Sequence, residues 1–333
     1  MKICRLFVVL TLCGLLILPT AAIAGTWTAK ADMPTGRMGL SASVVDRVIF
    51  AIGGSNVGDL VGLSTVEAYD PASDTWTTLA EMPTPRLWLA TGVVDGIIYA
   101  VGGSSIGGMN PLSTVEAYDP ASDTWTTLAK MPTARLGLSI SVMDGIIYAV
   151  GGTQNSGFTL LSTVETYDPA TDTWTALAEM PTAKAWSASS VVDGKMYVIG
   201  GTASFGSGSS TVEVYDPATN TWTTQADMPT QRFVLSASMV NGKIFVIGGT
   251  EGGDFRGIPT VEVYDPATDT WTTESDMPTV RARLATSVVD GTIYAIGGGE
   301  VFPTDAFPTV EAFTLTAITA VSATTWATIK QGK

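Results

Sequence analysis

A segment of about fifty residues recurs down almost the whole chain. Its best-preserved part is the stretch TVEAYDPASDTWTTLAKMPTAR at positions 114–135, and a Trp marks each copy. The marker residues are Trp27, Trp76, Trp125, Trp174, Trp222 and Trp271, spaced by 49, 49, 49, 48 and 49 residues. A repeat of this period is typical of solenoids and propellers. The sequence therefore predicts a fold built from copies of one supersecondary unit.

Each copy predicts four short β-strands. In the third copy a run of β-forming residues at 136–143 leads into Asp144-Gly145, a pair that favours a tight hairpin turn before a second apolar run at 146–150. A third run at 164–167 leads into Asp168-Pro169, which favours another turn, and a fourth strand comes after it. The first two strands are apolar on both faces, as expected for a sheet packed between neighbouring sheets.

The first copy departs from this pattern at its hairpin turn. Five copies carry Gly at the second turn position, in Asp95-Gly96, Asp144-Gly145, Asp193-Gly194, Asn241-Gly242 and Asp290-Gly291, whereas the first has Asp46-Arg47. A non-Gly residue held at positive φ costs about 1–2 kcal/mol. We therefore expect the first hairpin to be the least stable.

Six four-stranded sheets buried on both faces predict an all-β, six-bladed β-propeller, because ring closure hides the sheet edges. The strand at Trp27 precedes any blade it could complete, and the last copy ends at 310–313 with no Trp seven residues on. We expect the N-terminal strand to complete the last blade, with the propeller spanning 25–313 and a tail of unassigned role at 314–333. The alternative closure uses Trp326.

The N-terminus resembles a secretory leader. Lys2 and Arg5 precede an apolar run at 6–18, and small residues surround Ala24. This pattern predicts a signal peptide at 1–24, cleaved after Ala24, and an exported protein. A lipoprotein signal at Cys13 is the alternative, although Leu12 stands where such a signal needs a small residue.

Composition excludes several kinds of chemistry. The chain has no His, and its only Cys residues, Cys4 and Cys13, lie in the predicted leader, which rules out His-based catalytic triads and His/Cys zinc sites in the processed chain. Loss of the leader leaves 15 basic residues against 31 acidic ones, so nucleic acid is not an expected partner. No apolar run after the leader is long enough to span a bilayer. The Asp-Pro-Ala-Thr-Asp segments lack the ligand spacing of a calcium loop. We expect no metal and no cofactor.

The Gly-Gly pair, the Tyr seven residues before the Trp and the Met-Pro-Thr-x-Arg after it resemble the kelch repeat. The resemblance covers residues 26–313, six times over. It implies the propeller fold. It also relates the chain to animal kelch propellers in which Arg residues at the channel mouth bind acidic peptides, and to a bacterial periplasmic sialic acid mutarotase. The copper oxidase of sugars in this family needs His and Cys ligands, which the processed chain lacks.

Basic residues recur just ahead of the first strand of each copy. They are Arg37, Arg86, Arg135, Lys184, Arg232 and Arg281, with Arg283 as a seventh. Arg86, Arg135, Arg232, Arg281 and Arg283 match in motif the peptide-binding positions of the animal propellers. One interpretation is a positive channel mouth that binds anionic groups. The other is a structural ion pair with the one Glu that each copy supplies at Glu67, Glu116, Glu165, Glu213, Glu262 and Glu311.

Two positions beyond the basic residue, the copies read Gly39, Trp88, Gly137, Trp186, Val234 and Arg283. Trp88 and Trp186 either form stacking walls for a ligand or fill gaps between blades. The loops between second and third strands differ completely from copy to copy, as expected of a binding surface on a uniform scaffold. These loops carry Phe158, Phe205, Phe255, Phe302 and Phe307, which either serve that surface or fold under their own loops.

The sequence leaves three functions open. The first is an exported, non-catalytic binding protein, expected to be a monomer, that recognises a protein segment or a glycan through its variable loops. The second is a periplasmic sugar-modifying enzyme of the sialic acid mutarotase type, working with carboxylates and Arg. The third is a structural scaffold at the cell surface.

Overall fold

The computed structural model describes residues 23–56, 60–107, 110–155, 159–204 and 206–317. Contacts divide the chain into two units. The propeller is the unit Gly25–Leu315, and the two ends of the chain, Met1–Ala24 with Thr316–Lys333, form the other. Most of the predicted leader, Phe158, Phe205 and the alternative closing residue Trp326 lie outside the described residues.

Six four-stranded antiparallel sheets make up the fold. The first strands are β2 Ser41–Val45, β6 Ala90–Val94, β10 Ser139–Met143, β14 Ala188–Val192, β18 Ser236–Val240 and β22 Ala285–Val289. The second strands are β3 Val48–Ile52, β7 Ile97–Val101, β11 Ile146–Val150, β15 Lys195–Ile199, β19 Lys243–Ile247 and β23 Thr292–Ile296. The third strands are β4 Val66–Asp70, β8 Val115–Asp119, β12 Val164–Asp168, β16 Val212–Asp216, β20 Val261–Asp265 and β24 Val310–Ala317. The fourth strands are β5 Thr75–Thr78, β9 Thr124–Thr127, β13 Thr173–Ala176, β17 Thr221–Gln225, β21 Thr270–Thr273 and, from the chain start, β1 Ile23–Ala29.

The first strands lie innermost, and neighbouring ones pack against each other around a complete ring, β2 against β22 included. Their Ser and Thr side chains bridge adjacent blades, as in the bonds between Ser43 and Thr91 (2.7 Å) and between Ser238 and Thr286 (2.8 Å). The hydrophobic core lies between the sheets; Ile98 and Ala100 of one blade, for example, pack on Phe50 and Ile52 of the next. The predicted six-bladed β-propeller is confirmed.

Closure uses the N-terminal strand, as predicted. β1 pairs with β24 in the last sheet. Trp27 stacks on Phe313 with ring centroids 5.0 Å apart, as Trp76 does on Tyr69, and its Nε1 donates to the backbone oxygen of Ser275 at 3.0 Å. β24 runs on to Ala317, four residues beyond the predicted end of the propeller. Trp27 therefore occupies the place that a Trp holds in the other five blades.

The hairpin turns have the expected conformation. Asp95 and Gly96 have φ values of 50° and 79°, and in the first blade Asp46 and Arg47 have 49° and 67°. Arg47 thus adopts the left-handed conformation that Gly adopts in the other blades, with its guanidinium paired to exposed Asp290 of the neighbouring blade.

The loops that vary share one face of the ring. The segment before the first strand and the segment after the second strand meet in backbone bridges, such as the pair Leu87 and Ser104. We call this side the loop face and the side with the Asp-Gly and Asp-Pro turns the turn face. The loop face holds the candidate binding site.

Candidate binding site

The basic residues at the start of each first strand point into their own blades. Arg86 is fully buried; its Nη2 donates to Glu116 Oε2 at 2.5 Å, and its Nη1 donates to the backbone oxygens of Gly102 (3.1 Å) and Thr114 (3.0 Å). One guanidinium thereby joins the start of the first strand, the end of the second and the third strand. Burial lowers the pKa of Arg86, and the nearby Glu116 carboxylate opposes that shift.

The same ion pair occurs in every blade. The pairs are Arg37 with Glu67, Arg86 with Glu116, Arg135 with Glu165, Lys184 with Glu213, Arg232 with Glu262 and Arg281 with Glu311. All six basic side chains are fully buried. Of the two interpretations, this geometry matches the structural ion pair, and the interpretation of Arg86, Arg135, Lys184, Arg232 and Arg281 as a positive ring at the channel mouth is corrected. Carbonyl groups at the strand ends need donors, and a planar guanidinium satisfies several at once.

Two positions further on, six residues form a closed ring of backbone hydrogen bonds around the channel. Each N–H donates to the carbonyl of the equivalent residue in the preceding blade, over 2.7–2.9 Å. The members of this ring, which we call the mouth ring, are Gly39, Trp88, Gly137, Trp186, Val234 and Arg283. All six have φ between 48° and 62°. The ring fixes these backbones in the left-handed conformation, whichever side chain they carry.

Four of the six positions are not Gly, although the left-handed conformation favours Gly. Each such residue costs on the order of 1–2 kcal/mol, and a β-branched residue such as Val234 is an outlier there. The two glycines make room for the large side chains: a Cβ on Gly39 would lie 2.8 Å from Trp88 Cδ1, and one on Gly137 would lie 2.6 Å from Trp186 Nε1. Strain of this kind gathers at functional sites, because a surrounding structure must hold it in place.

The strained residues line a cavity of about 260 Å³ on the loop face. Five aromatic rings follow one another along it. Their centroids lie 6.4 Å apart for Phe302 and Trp88, 6.1 Å for Trp88 and Trp186, 6.5 Å for Trp186 and Phe233, and 6.1 Å for Phe233 and Phe255. Val234, Arg283, Thr202, Leu60, Gly107 and Gly206 complete the lining. We call this cavity the aromatic pocket.

Arg283 is the charged residue of the aromatic pocket. Its side chain belongs to a residue that is only 6% exposed, and its guanidinium carbon lies 4.3 Å from the centre of the Phe302 ring. Within the described residues no carboxylate lies within ion-pair distance, and the buried Nη1 has no hydrogen-bond partner. Burial lowers the pKa of Arg283 to about 10, and no charge among the described residues offsets that shift. The pocket thus holds a desolvated cation.

A second buried donor belongs to Trp186. The Trp residues of the outer strands donate Nε1 to backbone oxygens, as Trp125 does to Ala80 at 3.1 Å, but in the described structure Trp186 Nε1 is buried without a partner. The Thr202 hydroxyl, by contrast, lies within hydrogen-bond distance of the backbone oxygens of Ser204 and Ser207, so its one proton is shared within its own loop. Two side chains of the described lining, Arg283 and Trp186, thus each hold a buried donor without a partner.

The sequence singled out part of this pocket. It named Trp88, Trp186 and Arg283, which the structure brings together, and it named Phe255 and Phe302, which line the pocket from their loops. Phe307 is half-buried and does not line it. Phe233 was missed. It stands where the other blades have Met38, Leu87, Leu136, Ala185 and Ala282, so its being the one aromatic residue at that position is the signal that could have found it.

The described residues contain no helix long and apolar enough to cross a membrane. They also contain no group of three or more acidic, His or Cys residues placed to hold a metal ion.

Comparisons with known proteins match this architecture. The chain matches the KLHDC2/KLHL20/DRC7 Kelch-repeats domain over residues 22–201, 127–249 and 178–331. Among solved structures it resembles one titled "Structure of YjhT" with a TM-score of 0.72 and 18% sequence identity, over 85% of this chain and 96% of that one. At that identity the likeness extends to the fold alone. A search of curated proteins found no significant match. Since the family match covers nearly the whole chain, this protein belongs to the kelch-repeat family.

Proposed function

We propose that this protein is an exported, non-catalytic kelch propeller that binds a protein segment or a glycan through its loop face, with the aromatic pocket as the anchoring point. The observation that carries the proposal is the pocket itself, an apolar cavity built from residues held at positive φ. Ligand sites are concave and mostly apolar, with a few polar groups that fix orientation. The aromatic pocket has that composition.

The surface around the pocket supports a macromolecular ligand. Val61 and Ile106, from the loops of the first two blades, are 44% and 48% exposed and pair with each other through their backbones. Leu60, beside Val61, lines the pocket. An apolar rim of this kind, continuous with a pocket, is typical of an interaction surface.

The mutarotase alternative requires an acid–base pair close to the bound sugar. The described lining consists of aromatic and aliphatic side chains, Thr202 and Arg283, so such a pair would have to come from residues outside the lining. The lining therefore favours binding over catalysis.

The test is a glycan and peptide array probed with the purified protein and with two variants, Trp186→Ala and Phe255→Ala. We expect hits that weaken at least tenfold in both variants, because each truncates a pocket wall. Thr126→Ala, on an exposed outer strand, serves as the matched control and should bind like the parent. Hits that survive both pocket substitutions would place binding elsewhere and contradict the proposal.

Export has its own test. Mass spectrometry of the protein recovered outside the cytoplasm should find Gly25 as the N-terminal residue, because the small residues before it favour cleavage after Ala24. An intact leader on the protein at its final location would contradict export by this route.

A further inference from the structure

Arg283 differs from every other basic residue at the channel mouth. The six residues at the strand starts each form an ion pair with a carboxylate, whereas Arg283 is buried to a similar degree with no carboxylate near it in the described structure. A buried cation without a counter-charge is costly and is normally found paired. In Arg283 the cost is added to that of a non-Gly residue at φ 60°. Such a side chain is expected where a ligand supplies the missing anion.

The rest of the pocket restricts what the anion can be attached to. Its walls are the rings of Trp88, Trp186, Phe233, Phe255 and Phe302. A sugar ring brings several hydroxyl groups, and each one buried without a partner costs about 1–3 kcal/mol. The described lining has few groups to meet them, since the Thr202 hydroxyl is already engaged. An apolar ring has no hydroxyl groups that would lose their hydrogen bonds to water on entering the pocket.

The size of the pocket fits one ring. A cavity of ~150 Å³ lined by apolar side chains is enough to hold benzene. The aromatic pocket, at about 260 Å³, leaves room for a short substituent as well. The guanidinium carbon of Arg283 lies over the Phe302 ring, 4.3 Å from its centre. In the described structure Nη1 of this guanidinium has no hydrogen-bond partner, so it can donate to the carboxylate of a ligand.

We propose that the aromatic pocket binds an apolar ring bearing a single anionic group, such as an aromatic monocarboxylate, with the anion on Arg283 and the ring among the aromatic side chains. The inference rests on the proposed function, because it specifies the chemistry of the group that enters the same pocket. Arg283 is the one charged side chain in the described lining, so a single anion is the expected partner and a polyacidic segment is not the expected occupant.

Three probes separate the parts of the proposal. Phenylacetate carries the ring and the anion, phenylacetamide carries the ring alone, and glucuronate carries the anion on a polar ring. Titration of the purified protein, monitored by ligand-observed NMR, should give phenylacetate at least tenfold tighter binding than either of the others, as expected for a hydrogen bond to a charged group in an apolar site.

Arg283→Met removes the cation and keeps an apolar stem. This variant should bind phenylacetate and phenylacetamide with about equal affinity. The matched control is Arg256→Met, which removes an exposed Arg of the same face that is paired with Glu300. The control should keep the preference of the parent. A thermal melt of both variants shows whether the fold persists.

Equal binding of phenylacetate and phenylacetamide by the parent would overturn the anion assignment, and equal binding of glucuronate would overturn the apolar ring. Either result would leave the proposed function standing, because array hits lost in Trp186→Ala would still place binding in the pocket. A competition experiment shows whether the anionic ring belongs to a larger partner or to a free small molecule. Displacement of an array hit by phenylacetate would put the ring and anion on a larger partner, whereas binding of phenylacetate without such displacement would point to a free small molecule.

Discussion

Arg281 and Arg283 stand two positions apart in the last blade and have opposite surroundings. Arg281 donates to Glu311 and to the backbone oxygens of Gly297 and Thr309, whereas Arg283 has no described counter-charge. The difference arises from the mouth ring. Arg281 precedes the mouth ring, and its side chain folds back into its own blade. Arg283 belongs to the mouth ring, and its side chain lines the aromatic pocket. Burial alone therefore does not tell a paired arginine from one without a described counter-charge.

The two arginines should respond in opposite ways to the same substitution. Arg281→Met leaves Glu311 buried without its partner, which should lower the free energy of unfolding by about 3–5 kcal/mol. Arg283→Met removes a buried cation that has no counter-charge among the described residues, and it should be neutral or stabilising. Urea unfolding of both variants measures the difference. Equal destabilisation by the two substitutions would mean that Arg283 has a structural partner.

Lys184 is the one lysine among the six buried cations. Its Nζ donates to Thr211 Oγ1 at 2.8 Å and forms an ion pair with Glu213 Oε2 at 2.7 Å. Arg at the equivalent positions also donates to two backbone oxygens. We expect Lys184→Arg to raise the free energy of unfolding by about 1 kcal/mol through the added bonds. Lys195→Arg, on the surface, is the control, and a loss of stability in Lys184→Arg would show that the blade cannot take a guanidinium.

The sequence held information about the pairing of these basic residues beyond the repeated motif. Seven basic residues stand near the mouth against six repeated Glu residues, and Arg283 is the one outside the repeated position, so the repeat supplies no Glu for it. Which basic residues were paired could not be settled from spacing, because the orientation of each side chain depends on the mouth ring. That ring consists of long-range backbone bonds, and neither its closure nor its positive φ values have a local sequence signal.

At the scale of the elements, the blades differ in how their turns are built. In five blades a Tyr of the third strand donates to an Asp or Asn five residues later, as Tyr118 does to Asp123 at 2.6 Å. The last blade has Phe313 and Gly25 at these two places, and a Cβ on Gly25 would lie 1.7 Å from the Phe313 ring. The polar pair has been replaced as a unit where the ends of the chain meet. Both changes are visible in the sequence and agree with closure by the N-terminal strand.

The first hairpin is the element most open to improvement. Arg47 has φ 67°, where the other blades have Gly, and its exposed ion pair with Asp290 contributes little. Arg47→Gly should therefore raise the free energy of unfolding by about 1 kcal/mol. Arg47→Lys keeps the strain and should leave stability near that of the parent, as thermal melts of both variants would show. A less stable Arg47→Gly variant would mean that the ion pair outweighs the strain.

At the scale of the whole molecule, stability depends on closure of the ring. β1 supplies the outer strand of the last blade, and Trp27 packs there on Phe313 and bonds to Ser275 of the preceding blade. The propeller shape was predictable because six equal repeats with Gly-rich turns have few other ways to hide their edges. The pocket was less predictable, because its walls come from four of the six mouth-ring positions and from loops that share no motif.

Deletion of residues 25–29 should open the ring. It removes the strand paired with β24 and exposes Phe313, so the melting temperature should fall sharply. Trp27→Phe keeps the strand and an aromatic ring while removing the bond to Ser275, and it should cost only about 1 kcal/mol. An unchanged melt for the deletion would contradict closure by β1.

The central claim is that this propeller binds its ligand in the aromatic pocket of the loop face. The most direct measurement is a crystal structure of the protein with the strongest hit from the array. We expect ligand density within the pocket, in contact with Trp186 and with the guanidinium of Arg283. Density on the turn face, or on the loop face with the pocket still empty, would contradict the claim.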